Sequence, residues 1–227
     1  MDAFAAWVGH LFDRGPGEFE PVPWYLSESR PTEWTVRYAE GATPVAQAER
    51  IGRLFSGAGA LLRPYSDEQV GYGLDSLVST ADGDIMVLGD ARVPPAVRAA
   101  GLRSIVTLFA QVFAPRVPAA RPGYGRPWER SGSPVHQLDH VCYMFWDSAP
   151  IAPGPEDTTR DVLQVLEATL ALDSAACQRA ALHGLGHWHH AAPEEVSRII
   201  RGWLQGHPRA AGDLRDYAAQ ASSGSVL

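Results

Sequence analysis

From Thr43 onward the chain is organised by one period. Apolar residues recur three and four apart in segments of roughly ten to twenty residues, the spacing of one helix face. The segments carry helix punctuation. In "TPVAQAERIGRLFSGAGALLR" Thr43 stands as an N-cap with Pro44 at the first helical position. "SDEQVGYGLDSLVST" opens on Ser66 with acids in its first turn, where they suit the helix dipole. "PPAVRAAGLRSIVTLFAQVFA" predicts the longest apolar helix, Pro95–Ala114. "DTTRDVLQVLEATLAL" has Asp157 as cap and Val162, Leu166, Thr169 and Leu170 at helical spacing, and "DSAACQRAALHGLGHWHH" begins after Asp173, another expected cap. "PEEVSRIIRGWLQGH" has Pro193 in its first turn, a stripe of Val196, Ile199, Ile200, Trp203 and Leu204, and Gly206 at its end. A last helix is expected near Gly212–Ala221, and an earlier one over Asp2–Arg14. Connections of roughly two to six residues make successive helices antiparallel neighbours. No strand–helix alternation occurs, so the expected class is all-α in a single domain, 1–227.

Three stretches break the pattern. Residues 15–42 are punctuated by Pro and Gly yet carry Phe19, Trp24, Tyr25 and Trp34, which predicts an irregular arm laid across the body, with one short strand in "TEWTVRYAE". Residues 115–134 hold Arg116, Arg121, Arg126 and Arg130 against the single acid Glu129, the composition of an exposed loop. The terminal "SSGSVL" is expected to fray.

Composition excludes several functions. All 19 basic residues are arginine, so no Schiff-base lysine and no phosphate-loop lysine exists. An arginine-only chain rich in Ala and Gly is what a GC-rich bacterial genome encodes. The net charge of −7 argues against nucleic acid and suits a basic protein partner. No run of apolar residues is expected to reach the ~18 needed for a membrane span, and "MDAFAAWVGHLF" lacks the basic start of a secretory leader. Cys142 and Cys177 have neither metal-knuckle nor redox spacing; as free thiols they point to the cytoplasm. "GYGLDSL" and "RPGYGRP" follow no strand and are not phosphate loops, and no G-x-S-x-G elbow is present.

Two segments share a pattern: "AVRAAGLRSIVTLF" at 96–109 and "CQRAALHGLGHW" at 177–188. Each runs from Arg through small residues to apolar positions three and four apart. This resembles the second helix of a HEAT-type repeat, and "PEEVSRIIRGWLQGH" resembles the first helix of a following one. The likeness is strongest over residues 157–207. It implies antiparallel helical pairs stacked as a HEAT-like or armadillo-like array, and a scaffold that binds protein on one face. It carries no catalytic residue.

Four of the eight histidines lie in "ALHGLGHWHH", Ala181–His190. On a helical wheel His187 falls about 40° and His190 about −20° from His183, while Ala181, Leu185, Trp188 and Cys177 gather roughly opposite. His189 stands apart. In "HQLDHVCYMFWD" His136, His140, Tyr143 and Asp147 likewise form one stripe opposite Leu138, Val141, Cys142 and Phe145. Each helix thus carries an HxxxH pair, and i, i+4 spacing sets two imidazoles one turn apart, close enough for one metal ion. Gly184 and Gly186, each costing ~1 kcal/mol in a helix, mark a close approach by a neighbour.

The leading expectation is a non-enzymatic scaffold or adaptor of the bacterial cytoplasm, with an immunity-type protein as its specific version, and with no cofactor. Its partner is a protein; neither nucleic acid nor membrane is expected. His136, His140, Tyr143, Trp146, Asp147, His183, His187 and His190 form its candidate partner-binding face, with Tyr143 and Trp146 lining a groove. The alternative is an enzyme with one divalent transition metal on His136, His140, His183 and His187, or on three such nitrogens with Asp147 as an oxygen ligand, although no HExxH supplies a base. His140 with Asp147 is the conceivable acid–base pair.

Overall fold

The computed structural model describes residues 2–15, 43–78, 84–117, 137–149, 151 and 156–226. Residues 16–42 of the arm, with its expected strand, residues 118–134 of the loop, and His136 lie outside them. The described residues are all helical, with no strand: α1 (Ala3–Phe12), α2 (Pro44–Ser56, then one turn at Ala58–Leu61), α3 (Asp67–Val78), a 3-10 turn (Asp84–Leu88), α4 (Pro95–Leu108), α5 (Gln137–Ser148), α6 (Glu156–Leu170), α7 (Ala175–Trp188), α8 (Pro193–Gly206) and α9 (Gly212–Ala221). The all-α class is as the periodicity predicts.

Several starts are fixed by the side chains that precede them. Asp2 accepts from the Phe4 amide at 3.3 Å and Thr43 from the Ala46 amide at 3.2 Å. Ser66 and Gln69 exchange bonds of 3.2 and 3.0 Å in a capping box. Two expected caps are displaced. Ser174, not Asp173, accepts from the Cys177 amide, at 3.4 Å. Asp157 lies inside α6, where its carboxylate serves the buried Arg98 at 2.9 Å instead.

The packing follows a rule of alternation. Along the chain α1, α3, α5, α7 and α9 each pack on the next of that series, and α2, α4, α6 and α8 do the same. Each helix therefore touches the one two places on. At α2 and α4 the approach is close enough that a Cβ on Gly52 would lie 3.6 Å from the Gly101 Cα, which is what small residues in stacked helices provide. Within the odd series α5, α7 and α9 run in one direction. Arg179 meets Asp213, and one turn later on both helices His183 meets Tyr217.

Between the two series lies the core, including Trp7, Phe12, Leu54, Phe55, Leu74, Leu102, Ile105, Val162, Leu166 and Leu182. A π turn at Phe109–Phe113 extends α4 to Arg116 and brings Phe109 and Phe113 edge-on to Phe145, with centroids 5.3 and 6.4 Å away. The continuous helix Pro95–Arg116 amends one expectation: by length and composition it could span a membrane. Half of its most apolar stretch is buried inside the fold, as in a core helix. The tail is a second correction. Gly224, at φ 70°, turns the chain so that Val226 is buried against Gly186, so the described part of "SSGSVL" does not fray.

Candidate functional site

Helix α7 lies between α5 and α9 in the odd series and is contacted by α5, α6, α8, α9 and the π turn. This reverses one reading of its wheel. Leu185 and Trp188 do face inward, but the histidine side is covered too, and His183 is only 1% exposed. The wheel orders residues around one helix; it cannot register that parallel neighbours on both flanks close over the opposite face. Tyr143 from α5 and Tyr217 from α9 do so, with ring centroids 4.6 and 6.3 Å from the His183 ring.

The shared direction of the helices aligns successive turns. Tyr143 lies beside His183, and four residues later on both helices Asp147 lies beside His187. Within this lattice three ligand atoms converge. The Nε2 atoms of His183 and His187 are 3.0 Å apart, and His187 Nε2 is 3.2 Å from Asp147 Oδ1. All three side chains offer a ligand atom within 4.8 Å of the others. Nitrogen and oxygen ligands tetrahedral about a zinc-sized ion, with bonds near 2 Å, stand about 3.3 Å apart. The donor set and its two short edges fit a first-row divalent ion.

The electrostatics agree. Burial, helped by His187, pushes the His183 pKa down to about 3, so its ring is neutral. Two imidazole lone pairs do not face each other at this distance without a cation, proton or metal, between them. On its far side His183 Nδ1 is 2.5 Å from the Tyr217 hydroxyl, which is 2.9 Å from that of Tyr143. Burial, together with that Tyr143 bond, raises the Tyr217 pKa and keeps its hydroxyl protonated. The Arg179 guanidinium lies 5.3 Å from the Tyr217 ring centre and is paired at 2.5 Å with Asp213. The site is buried beneath and open above: the Asp147 side chain is 42% exposed and that of His187 36%. Three protein ligands with one open side is the pattern of a reactive metal centre rather than a closed structural one.

The remaining candidates fall as follows. His140 is on α5 but two turns before Asp147, about 10 Å along the axis. It is not among the three side chains whose ligand atoms converge, whereas Asp147 is. Tyr143 and Trp146 do not line a groove: they are 9% and 5% exposed. Trp146 is instead pressed over Gly184, and its indole N–H finds no acceptor among the described residues. His190 is exposed past the end of α7 and donates through Nδ1 to the His187 carbonyl at 2.7 Å. Sequence reasoning missed Tyr217, Arg179 and Asp213. Their only signal was an Asp213–Tyr217 pair at i, i+4 in the last helix, meaningful only once α9 is known to lie beside α7.

Cys142 and Cys177 also meet between α5 and α7, both buried, and burial raises the Cys142 thiol pKa. As buried thiols they are packing residues. No family model matches the chain, and neither does any curated protein or solved structure.

Proposed function

We propose that this protein binds one divalent transition metal ion through Asp147, His183 and His187, and that its activity is metal-dependent. The observation that carries this reading is the convergence of the two Nε2 atoms and the Asp147 carboxylate, at 3.0 and 3.2 Å, on one point at the surface. An ion there would keep open positions toward solvent, where a bound water becomes a nucleophile near neutral pH or a substrate oxygen is polarised. Two imidazoles and one carboxylate suit zinc, iron(II) or manganese(II). His140 takes no part.

The test is elemental analysis of tag-free protein, paired with melting in chelator and in added zinc, iron(II) or manganese(II). Near one equivalent of metal, with a melting temperature that rises on loading, supports the reading. Protein that carries no metal and does not respond to any of the three overturns it.

A second reading is favoured by a separate observation, the packing of each helix on the one two places along. That alternation is what a HEAT-like array of antiparallel pairs requires, and such arrays present an extended binding face. In this reading the chain is an adaptor in the bacterial cytoplasm, and its charge of −7 suits a basic protein partner. Capture from native lysate at low and high salt tests it. A stoichiometric basic partner released by salt supports the adaptor; no partner at either salt overturns it.

A further inference from the structure

We infer that Tyr217 is a positioning residue that fixes which nitrogen of His183 carries the proton, and so keeps Nε2 free to ligate. This rests on the metal reading above.

The argument is one of donors and acceptors. Asp147 Oδ1, a carboxylate oxygen, can only accept, and it lies 3.2 Å from His187 Nε2. Without an ion, a negative charge this close to His187 Nε2 disfavours a lone pair there and favours an N–H, which is aimed at His183 rather than at Asp147. The same Nε2 faces His183 Nε2 at 3.0 Å, so His183 must present a lone pair there. A neutral imidazole has one N–H, which then belongs on Nδ1. Nδ1–H points at the Tyr217 oxygen, 2.5 Å away, and that oxygen accepts it. The Tyr217 hydroxyl hydrogen goes on to Tyr143 Oη at 2.9 Å. The chain of bonds has one direction: His183 to Tyr217 to Tyr143. A metal ion held there would displace the His187 Nε2 hydrogen, which this solvent-exposed ring would regain on Nδ1 through water, and would leave the His183–Tyr217–Tyr143 bonds intact.

Among the described residues Tyr217 is the hydrogen-bond partner of Nδ1, and its ring is itself held by Arg179, anchored to Asp213. Partners of this kind on the far nitrogen of a ligating histidine typically contribute 10–100-fold in metal affinity. Removing the hydroxyl leaves Nδ1–H buried without an acceptor and favours the other tautomer, whose Nε2–H blocks the ligand atom.

The experiment uses the full chain, tag-free, as wild type, Tyr217→Phe and Tyr143→Phe. Cobalt(II) titration followed by its ligand-field absorption reads affinity and geometry, and 15N imidazole shifts of the metal-free protein read the tautomer. Expected are an Nδ1–H His183 in wild type and a 10–100-fold loss of cobalt affinity with a shifted band in Tyr217→Phe. Tyr143→Phe, which keeps the acceptor, should lose less. If Tyr217→Phe does not fold, any weakening or band shift in Tyr143→Phe carries the test, and wild-type behaviour there overturns the inference. Equal affinity and an unchanged spectrum in Tyr217→Phe, with cobalt bound by wild type, overturn it and leave the metal reading standing. Wild type that binds no cobalt overturns both, and an Nε2–H tautomer in wild type overturns this inference by itself.

Discussion

His183 Nε2 and His187 Nε2 face each other at 3.0 Å across one turn of α7, and the first ring is sealed while the second is open to water. That asymmetry gives the two histidines separate jobs. His183 is positioned from behind by tyrosines on both flanking helices, so its ligand atom is preset. His187 and Asp147, at the surface, can adjust to an ion without disturbing the core. The parallel register of α5, α7 and α9 produces this arrangement, because it sets residues four apart on one helix beside residues four apart on the next.

The exposed ligands are separable from the fold. His187→Ala and Asp147→Ala should abolish stoichiometric metal binding while changing the stability of the metal-free protein by no more than ~0.5 kcal/mol, the range for surface positions. His183→Ala should lose the metal and also destabilise the apo-protein by ~2–4 kcal/mol, since it opens a cavity beneath two rings and strands the Tyr217 hydroxyl. Elemental analysis and urea melts of the three variants separate these outcomes. Equal destabilisation by all three would contradict the division of labour.

In chelator, stability should fall as pH is lowered from about 6.5 toward 3. The folded ring of His183 resists protonation down to about 3, whereas in the unfolded chain it titrates near 6.5. Below 6.5 the unfolded state binds the extra proton, so acid favours unfolding by up to ~1.4 kcal/mol per pH unit from this one group. Stability from the neutral ring is fully present above 6.5. Denaturant midpoints of wild type and His183→Gln, taken from pH 7.5 to 4, should converge as pH falls; parallel curves would contradict the assignment.

Much of the architecture was legible because helix signals are local. Pro193 and the Val196–Trp203 stripe mark α8, and Gly212–Ala221 is α9 to the residue. The close approach marked by Gly184 is met by Leu166 and Trp146. What stayed hidden depends on which helices are neighbours. The wheel grouped Tyr143 with Asp147 and His183 with His187, and those groupings survive. It could not tell that α5 and α7 run in the same direction with those turns level, so His140 and Asp147 both stood as candidate ligands, nor that α9 adds Tyr217. Burial of His183 was missed for the same reason, as was the charge role of Asp157, whose partner Arg98 is 59 positions away in sequence.

Asp157 joins α6 to α4 through Arg98, whose side chain is 6% exposed and also donates to the Val93 carbonyl at 2.7 Å. Asp157→Asn removes the charge and leaves a buried guanidinium with only the Val93 and Asp90 carbonyls as backbone acceptors. A loss of ~2–4 kcal/mol is expected, larger than for an exposed pair, because breaking one half of a buried pair strands the other. Arg98→Met, which fills the space without a charge, should cost less than Asp157→Asn. Chemical denaturation of both variants decides it, and the reverse order would show that the pair acts through packing alone.

The two glycines of α7 should respond differently to alanine. A Cβ on Gly184 would lie 2.6 Å from Leu166 Cδ2 and 2.7 Å from Trp146 Cγ, both on helices of the core, so relief requires α5 or α6 to shift. Overpacking of that kind costs ~1–3 kcal/mol, more than the ~1 kcal/mol gained by replacing a helical glycine. Because Trp146 is adjacent to Asp147, the shift should also weaken metal binding. A Cβ on Gly186 meets Val226 at 2.5 Å, and that residue sits on a short tail held by few bonds. Gly186→Ala should therefore release the tail and leave the core and the metal site intact. Hydrogen exchange separates the cases: faster exchange confined to residues 222–226 in Gly186→Ala, against lowered protection across α5 and α7 in Gly184→Ala. Loss of α7 protection in both would mean that the tail is part of the core rather than a strap laid over it.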